Sequence, residues 1–329
     1  MPKFEEISNI NILFTCIGRR VSLLQAFRDA SKKLGITSTI FGTDITALSP
    51  ALQLCDKRHI VPPVTHRDYL NQLLEIVAKN RINLVIPTVD LDLKLLALSK
   101  NRFSERGCTV LVSDPDVVDV CQDKRNTFRF LKKHGFGTPN TLSPRSVVST
   151  RNTKYPLFLK PWDGHASKWT ILVNNRKEFL FYTKIIPRCI VQEFIAGEEY
   201  TCDTYVDFEM KVRCVVPRRR IEVRNGEVSK GEVTKNLAMM EQVAMLVEKL
   251  GAGPGVITTQ LILSSDKNLK FIEINPRFGG GVPLAIKAGA VFPEWIFLSM
   301  MGRDPKIEFD GFIDKLTMLR YDAEIWIRG

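Results

Sequence analysis

Apolar residues in the first third of the chain come in short runs separated by stretches of mixed polarity. NILFT at 11–15, TSTIFG at 37–42, NLVIP at 83–87 and CTVLVS at 108–113 read as buried strands. Between them, residues 21–34, 66–79 and 91–98 carry apolar side chains at helical spacing, which predicts three helices. Strands alternating with helices predict a doubly wound parallel α/β domain over 1–115. Ligands of such sheets bind at the carboxyl ends of the strands.

The pattern changes after this. A helical segment at 123–134 is broken by Gly135, Gly137 and Pro139. YPLFLKP (155–161) and WTILV (169–173) then read as strands joined by WDGHASK, with a helix over 176–184. Residues 116–190 thus form a small lid-like unit. From 191 to 329 strands dominate, in CIVQEFI, EYTCDTYVD and VRCVVPRRRIEV, with a long helix expected over 233–250. GVITTQLIL (255–263) and LKFIEIN (269–275) form an expected antiparallel pair across SSDKN. No internal repeat is visible.

Composition narrows the classes. With 329 residues, 44% hydrophobic and 25% charged, the chain suits about two or three packed globular units. No apolar run is long enough to span a bilayer, and MPKFEEISNINILF lacks the features of a signal peptide, so a cytoplasmic protein without a membrane is expected. Seven cysteines, with no C-x-x-C pair, read as free thiols rather than a zinc site or a disulfide framework. A net charge of +11 raises nucleic acid as a partner, but the densest basic cluster is only Arg218, Arg219 and Arg220 in a strand-like context. An anionic small substrate accounts for the charge as well, and nucleic acid is not expected.

The chemistry concentrates in FIEINPRFGGG (271–281). Phe271, Ile272 and Ile274 are apolar, and strand alternation puts Glu273 and Asn275 on one face. Gln260 lies within cross-strand reach of them. Three oxygen donors suit magnesium, or manganese, held against a nucleotide's phosphates, with Arg277 meeting the same anion. Solvent exposure and plain turn chemistry at NPR is the competing reading. Upstream, Lys124 and Lys160 flank one supersecondary unit, and DGHASK offers Gly164 and Ser167 in a loop whose amides can approach phosphate. QEFIAGEEYT delivers Glu193, and then a turn delivers Glu198 and Glu199, suited to an adenine edge and ribose hydroxyls. In the first domain, Arg19 and Arg20 follow the first strand in TCIGRR, which lacks G-x-G-x-x-G; paired arginines suit a carboxylate or phosphate there. With Asp90 after NLVIP they are candidate substrate contacts, whereas Asp44 reads as turn or cap chemistry.

The order Lys124, FLKP-x-x-G-x-x-S, QEFIAGEEYT, Gln260 and FIEINPRFGGG resembles the ATP-grasp superfamily over nearly the whole chain. With an α/β domain in front it is similar to the carbamoyl-phosphate synthase large-subunit-like branch, as a stand-alone carboxylate–amine ligase. The resemblance implies a two-lobed ATP-grasp fold, with lid 116–190 and metal-bearing subdomain 191–329. It implies that Lys124 and Lys160 contact ATP, that Glu193 and Ile195 form the adenine hinge, and that Glu199 meets the ribose. Gln260, Glu273 and Asn275 match the magnesium ligands, Arg277 the arginine near the transferred phosphate, and Arg218 and Arg220 residues facing the acceptor. The implied partners are a small-molecule carboxylate and an amine, which would be joined through an acyl phosphate to give an amide, ADP and phosphate. Such folds are compatible with a homodimer.

Two features depart from the pattern. DGHASKW stands where relatives often carry G-S-x-G-S-x-G, and Thr258 stands where members place an arginine two residues before the first metal ligand. Arg218, Arg220 or Arg277 would then stabilise the anionic intermediate. The departures motivate an alternative, a catalytically weak ATP-binding regulator. A second alternative, phosphorylation of bicarbonate or carbamate, ranks lower because the chain has one motif set where that synthesis uses two ATP steps.

Overall fold

The computed structural model of the chain describes residues 9–149, 153–164 and 168–328. Its first sheet is built from β1 (Ile12–Thr15), α1 (Val21–Lys33), β2 (Ile40–Asp44), α2 (Pro50–Gln53), β3 (Lys57–Ile60), α3 (Tyr69–Asn80), β4 (Leu84–Pro87), α4 (Leu93–Leu98), α5 (Lys100–Ser104) and β5 (Thr109–Val110). The strands run parallel in the order β3-β2-β1-β4-β5. Every residue of β1 and β4 is buried, because helices cover both faces of the sheet. Helix α1 turns Leu23, Leu24, Phe27 and Ala30 inward, the stripe its spacing predicts. The strand β3, KRHI, escapes a hydrophobicity reading because it is a polar edge with no fully buried residue.

The chain then passes through α6 (Pro115–Gln122) and α7 (Lys124–Lys133). Asp123 starts α7 by accepting a hydrogen bond from the Arg125 amide at 2.9 Å, which fixes Lys124 in the first turn. A four-stranded sheet, β6-β9-β7-β8, follows from β6 (Thr141–Leu142), α8 (Pro144–Val148), β7 (Leu157–Pro161), β8 (Ile171–Val173), α9 (Arg176–Ile185) and β9 (Cys189–Glu193). It has a small core of its own, which includes Leu159, Val173, Phe179 and Val191.

The remaining elements are β10 (Gly197–Val206), β11 (Val212–Arg224), β12 (Glu227–Val233), α10 (Leu237–Leu250), β13 (Gly255–Ser264), β14 (Leu269–Asn275), α11 (Val282–Lys287), α12 (Phe292–Met300) and β15 (Thr317–Leu319). Their six strands form one antiparallel sheet in the order β14-β13-β10-β11-β12-β15. One face packs Cys202, Ile257, Leu261, Phe271 and Ile274 into the core that also holds Met240 and Val243 of α10. That core runs on through Phe27 of α1, whose ring meets Phe278 and Phe297 edge-on, so the first domain and the last sheet share packing. Two expectations are corrected here. The helix expected from 233 begins at Leu237, because the preceding residues pair as β12, and the GEEYT segment expected as a turn is the start of β10. All seven cysteines are unpaired.

Candidate active site

The polar face of the six-stranded sheet carries the site. Gln260 lies directly opposite Glu273, Thr258 opposite Asn275, and Thr201 opposite both Gln260 and Arg218, so these side chains share a face. The register shifts after Gln260, leaving Ile272 as an extra residue on β14. Period-2 reasoning places Ile272 with the core; the bulge instead turns it, together with Glu273, toward the polar side, where both line one cleft. Gln260 sits in mid-strand.

This cleft, about 270 Å³, lies between the two antiparallel sheets and is lined by Lys124, Lys160, Gly164, Glu193, Ile195, Glu199, Gln260 and Glu273 among others. Lys124 is 8% exposed; its Nζ donates to the Gly164 carbonyl at 2.5 Å and lies 3.9 Å from Glu273 Oε1. Lys160 is 9% exposed, and burial, seconded by the charge of Lys124, pushes its ammonium down to about 8 while Glu273 and Glu199 oppose the shift. Two buried lysines facing one cleft make a site that an anion would relieve. Glu193 is held at its own strand end: its Oε1 accepts from the Asn140 amide at 2.9 Å. Ser167 lies outside the described residues.

A second cavity, about 460 Å³, adjoins the first across Glu199, Gln260 and Glu273, which line both. Its walls include Arg20, Asp90, Arg218, Arg220, Asn275, Arg277 and the glycines 279–281. Arg277 Nη2 donates to Asp90 Oδ2 at 2.5 Å, joining the segment after β14 to the loop after β4. Arg220 Nε lies 3.2 Å from Glu199 Oε1. Arg218 is 1% exposed and grips Asp203 with two bonds, Nε to Oδ2 at 2.7 Å and Nη2 to Oδ1 at 3.0 Å. Among the described residues its Nη1 has no partner.

The candidates separate cleanly. The structure brings Arg20 and Asp90 into the second cavity, but Arg19, predicted to contact substrate beside them, is exposed and lines no part of it. Alternation along the loop leaving β1 turns only one of the pair inward. Glu198, read together with Glu199, points to the other face of β10 and pairs with Arg219 at 3.1 Å. Asp44 closes a turn, accepting from the Gly18 amide at 2.8 Å. Sequence reasoning missed Asp203 and Glu227. Asp203 is fully buried in a strand of mixed polarity, and only its two-residue spacing from Thr201 and Glu199 could have flagged it. Glu227 follows the Asn225-Gly226 turn and bridges Arg20 at 3.1 Å and Arg320 at 2.9 Å.

Among the described residues no cluster of three His, Cys, Asp or Glu side chains could hold a metal ion. A cation here would rest on one carboxylate, Glu273, and the amide oxygens of Gln260 and Asn275. That sparse all-oxygen set fits magnesium, which takes one or two carboxylates and completes its shell with phosphates and water.

Comparison with known proteins agrees with this geometry. Residues 12–111 match the PylC-like N-terminal domain family, and residues 121–281 match the ATP-grasp domain family. The chain thus carries a segment that matches the PylC-like N-terminal domain followed by one that matches the ATP-grasp domain. It is 22% identical over 169 residues to a D-alanine–D-alanine ligase of Fusobacterium nucleatum, covering 49% of this chain and 58% of that one. It is also 22% identical over 261 residues to the carbamoyl phosphate synthase large chain of Sulfolobus acidocaldarius, covering 74% of this chain and 24% of that one. The chain therefore spans between a quarter and three fifths of these relatives. Among solved structures, the ADP complex of an N5-carboxyaminoimidazole ribonucleotide synthetase superposes with a TM-score of 0.72 at 16% identity, over 97% of this chain and 83% of that one. The fold is thus the ATP-grasp fold behind a parallel α/β domain. No helix among the described residues is long and apolar enough to cross a membrane.

Proposed function

We propose that the protein is an ATP- and magnesium-dependent carboxylate–amine ligase, which forms an amide with release of ADP and phosphate. The observation that carries this reading is the shared wall: Gln260 and Glu273 belong at once to the two-lysine cleft and to the arginine-lined cavity. A nucleotide in the first would present its terminal phosphate to an acid in the second. The similarity to a D-alanine–D-alanine ligase and to a carbamoyl phosphate synthase chain supports it.

A carboxylate is a poor electrophile with a poor leaving group, and phosphorylation remedies both. In this reading Lys124 and Lys160 bind the phosphates of ATP, Glu193 and Ile195 border the adenine, and Glu199 meets the ribose. Gln260, Glu273 and Asn275 would hold magnesium, which supplies charge neutralisation for the triphosphate. Arg277 faces the transferring phosphoryl group, and the acid's oxygen attacks phosphorus in line, with the ADP oxygen leaving. The amine then adds to the acyl carbon and phosphate departs, the amine's proton passing to solvent or phosphate. Arg220 and Arg277 bear on the oxyanion formed in that addition. Thr258 lacks the arginine of relatives, and Arg218, tied to Asp203 beside Thr258, supplies a guanidinium from the adjacent strands instead. The four-stranded sheet with α8 and α9, having its own core, acts as the lid that keeps water from the acyl phosphate. Seven unpaired cysteines support a reducing, cytoplasmic setting.

The test is magnesium-dependent ADP release across a matrix of acids and amines, with Glu273→Ala as background. An acid and an amine that are required together, with an amide found by mass spectrometry, are the expected result. ATP binding without release above background for any pair would overturn the ligase reading and favour a regulator.

A further inference from the structure

The second cavity is cationic from its β14 end, at Arg277, to its β11 side, at Arg218, and the ligase reading places the reacting carboxylate only at the first. At the β14 end, Arg277 stands beside Asn275, where the reacting carboxylate belongs. At the other end, the run Gly279-Gly280-Gly281 presses its backbone against two guanidinia. A Cβ on Gly281 would lie 2.3 Å from Arg218 Nη1, and one on Gly280 would lie 2.6 Å from Arg20 Nη1. Side chains are excluded there, so both guanidinia keep their place on the cavity wall.

At this far end Arg20, Arg218 and Arg220 pair with Glu227, Asp203 and Glu199, and Arg320, outside the cavity lining, shares Glu227. Asp203 accepts two bonds from Arg218 with Thr258 Oγ1 3.3 Å from its Oδ1, and Glu227 is shared between two arginines. Arg218 Nη1 remains a buried, unpartnered donor on the cavity wall. Leaving such a donor unmet is unfavourable, so the arrangement favours an acceptor brought by a ligand.

We infer that the acid taken by this site carries a second anionic group, carboxylate or phosphate, bound at the Arg218–Gly281 end while its reacting carboxylate lies at Arg277. The inference rests on the ligase reading for which end reacts. Arg218 on β11 and Glu273 on β14 are three strands apart, roughly 14 Å between backbones at the usual strand spacing. The arginine side chain spans much of that, and an acid of a few carbons bridges the rest. An acid with a single carboxylate leaves Nη1 unmet.

The test is calorimetric titration of the full chain, loaded with magnesium and a non-hydrolysable ATP analogue, using glutarate, 3-phosphonopropionate and butyrate. One charge-assisted hydrogen bond corresponds to about tenfold in affinity, so both dianions are expected to bind at least about tenfold more tightly than butyrate. Preference for glutarate alone identifies a carboxylate, and for the phosphonate alone a phosphate. Gly281→Ala, which pushes Nη1 off the wall, is expected to erase the preference. Glu227→Gln removes a competing carboxylate and is expected to strengthen dianion binding. Butyrate binding as well as the dianions, or no binding of either dianion, overturns the inference. Failure of the ligase reading is separate: dianions that bind but give no hydroxamate when ATP and hydroxylamine are supplied leave the anion site standing without the acyl phosphate.

Discussion

Lys160→Met should make the protein more stable and unable to hold nucleotide. The ammonium of Lys160 is buried in the cleft and pushed from 10.5 down to about 8, first by burial and then by Lys124. At pH 7 the lysine is charged in both folded and unfolded chains, and at about 1.36 kcal/mol per unit the folded state bears a cost on the order of 3 kcal/mol. Methionine keeps the aliphatic stem and removes the charge, so most of that cost is recovered. For a chain of this size the gain corresponds to a rise of about 5 °C in Tm.

The sign of the pH dependence is fixed by the direction of the shift. Because the folded pKa lies below the unfolded one, the penalty is complete below pH 8 and fades as pH rises toward 10.5, where the folded chain has lost the proton and the unfolded chain still holds it. The Tm gap between Lys160→Met and wild type should therefore be widest near pH 7 and close toward pH 10. With magnesium and an ATP analogue at about a hundred times its Kd, wild type should gain about 2.7 kcal/mol, and the variant almost none. Thermal denaturation with and without the analogue reads all three effects. A variant less stable than wild type without nucleotide, a gap indifferent to pH, or an undiminished nucleotide shift would refute the reasoning.

Three further outcomes follow from the same geometry. Glu273→Ala should abolish ADP release while Tm stays within a few degrees of wild type, since the carboxylate is half-buried and its ion pair to Lys124 spans 3.9 Å; turnover near the wild-type rate would remove Glu273 from the metal site. Asp203→Ala should destabilise the fold by about 3–5 kcal/mol by leaving Arg218 charged and unpaired in the interior, and denaturant titration showing a loss under about 1 kcal/mol would count against it. Alkylation by iodoacetamide at pH 8 should be slow at Cys16 and Cys55, whose thiols burial pushes up to about 12, and labelling as fast as a free thiol in mass spectrometry would contradict the burial.

What could be read from the sequence followed the kinds of force involved. Buried strands such as β1 and β4 announce themselves as short apolar runs, broken only by Thr15, and helix α1 because its apolar stripe recurs each turn. Glu273, Asn275 and Gln260 could be paired in advance because alternation and one hairpin fix their face. Short edge strands could not: β3, KRHI, and β15, TML, are defined by a neighbour's hydrogen bonds, not by their own side chains. The bulge at Ile272 likewise leaves no mark on composition, yet it decides which cleft that side chain enters. Arg19 and Arg20 are chemically identical in the sequence, and only the path of the backbone after β1 turns one inward and leaves the other in solvent.

Asp203 explains why the departure at Thr258 does not leave the site without an internal guanidinium. Thr258 is too short to reach across the cavity, and its Oγ1 instead donates to the Arg277 carbonyl at 3.0 Å and approaches Asp203. Asp203 holds Arg218 from the next strand in a fixed orientation, with Nε and Nη2 used and Nη1 left over. A charge that would otherwise project from β13 is thereby carried by β11 and aimed by β10. The wall of glycines follows from this relocation: with the guanidinium pressed beneath Gly281, no side chain fits there, and a Cβ at Gly279 would meet Thr258 at 2.9 Å. The triple glycine, the short Thr258 and the buried Asp203–Arg218 pair are one device, and replacing Thr258 by arginine should not restore a relative's site. It should place a second guanidinium against Arg218 within reach of the carboxylate that already holds it, costing stability of about 3 kcal/mol or more, as expected for an unpaired buried charge. A Thr258→Arg variant with unchanged Tm and dianion affinity would show that the two positions are independent.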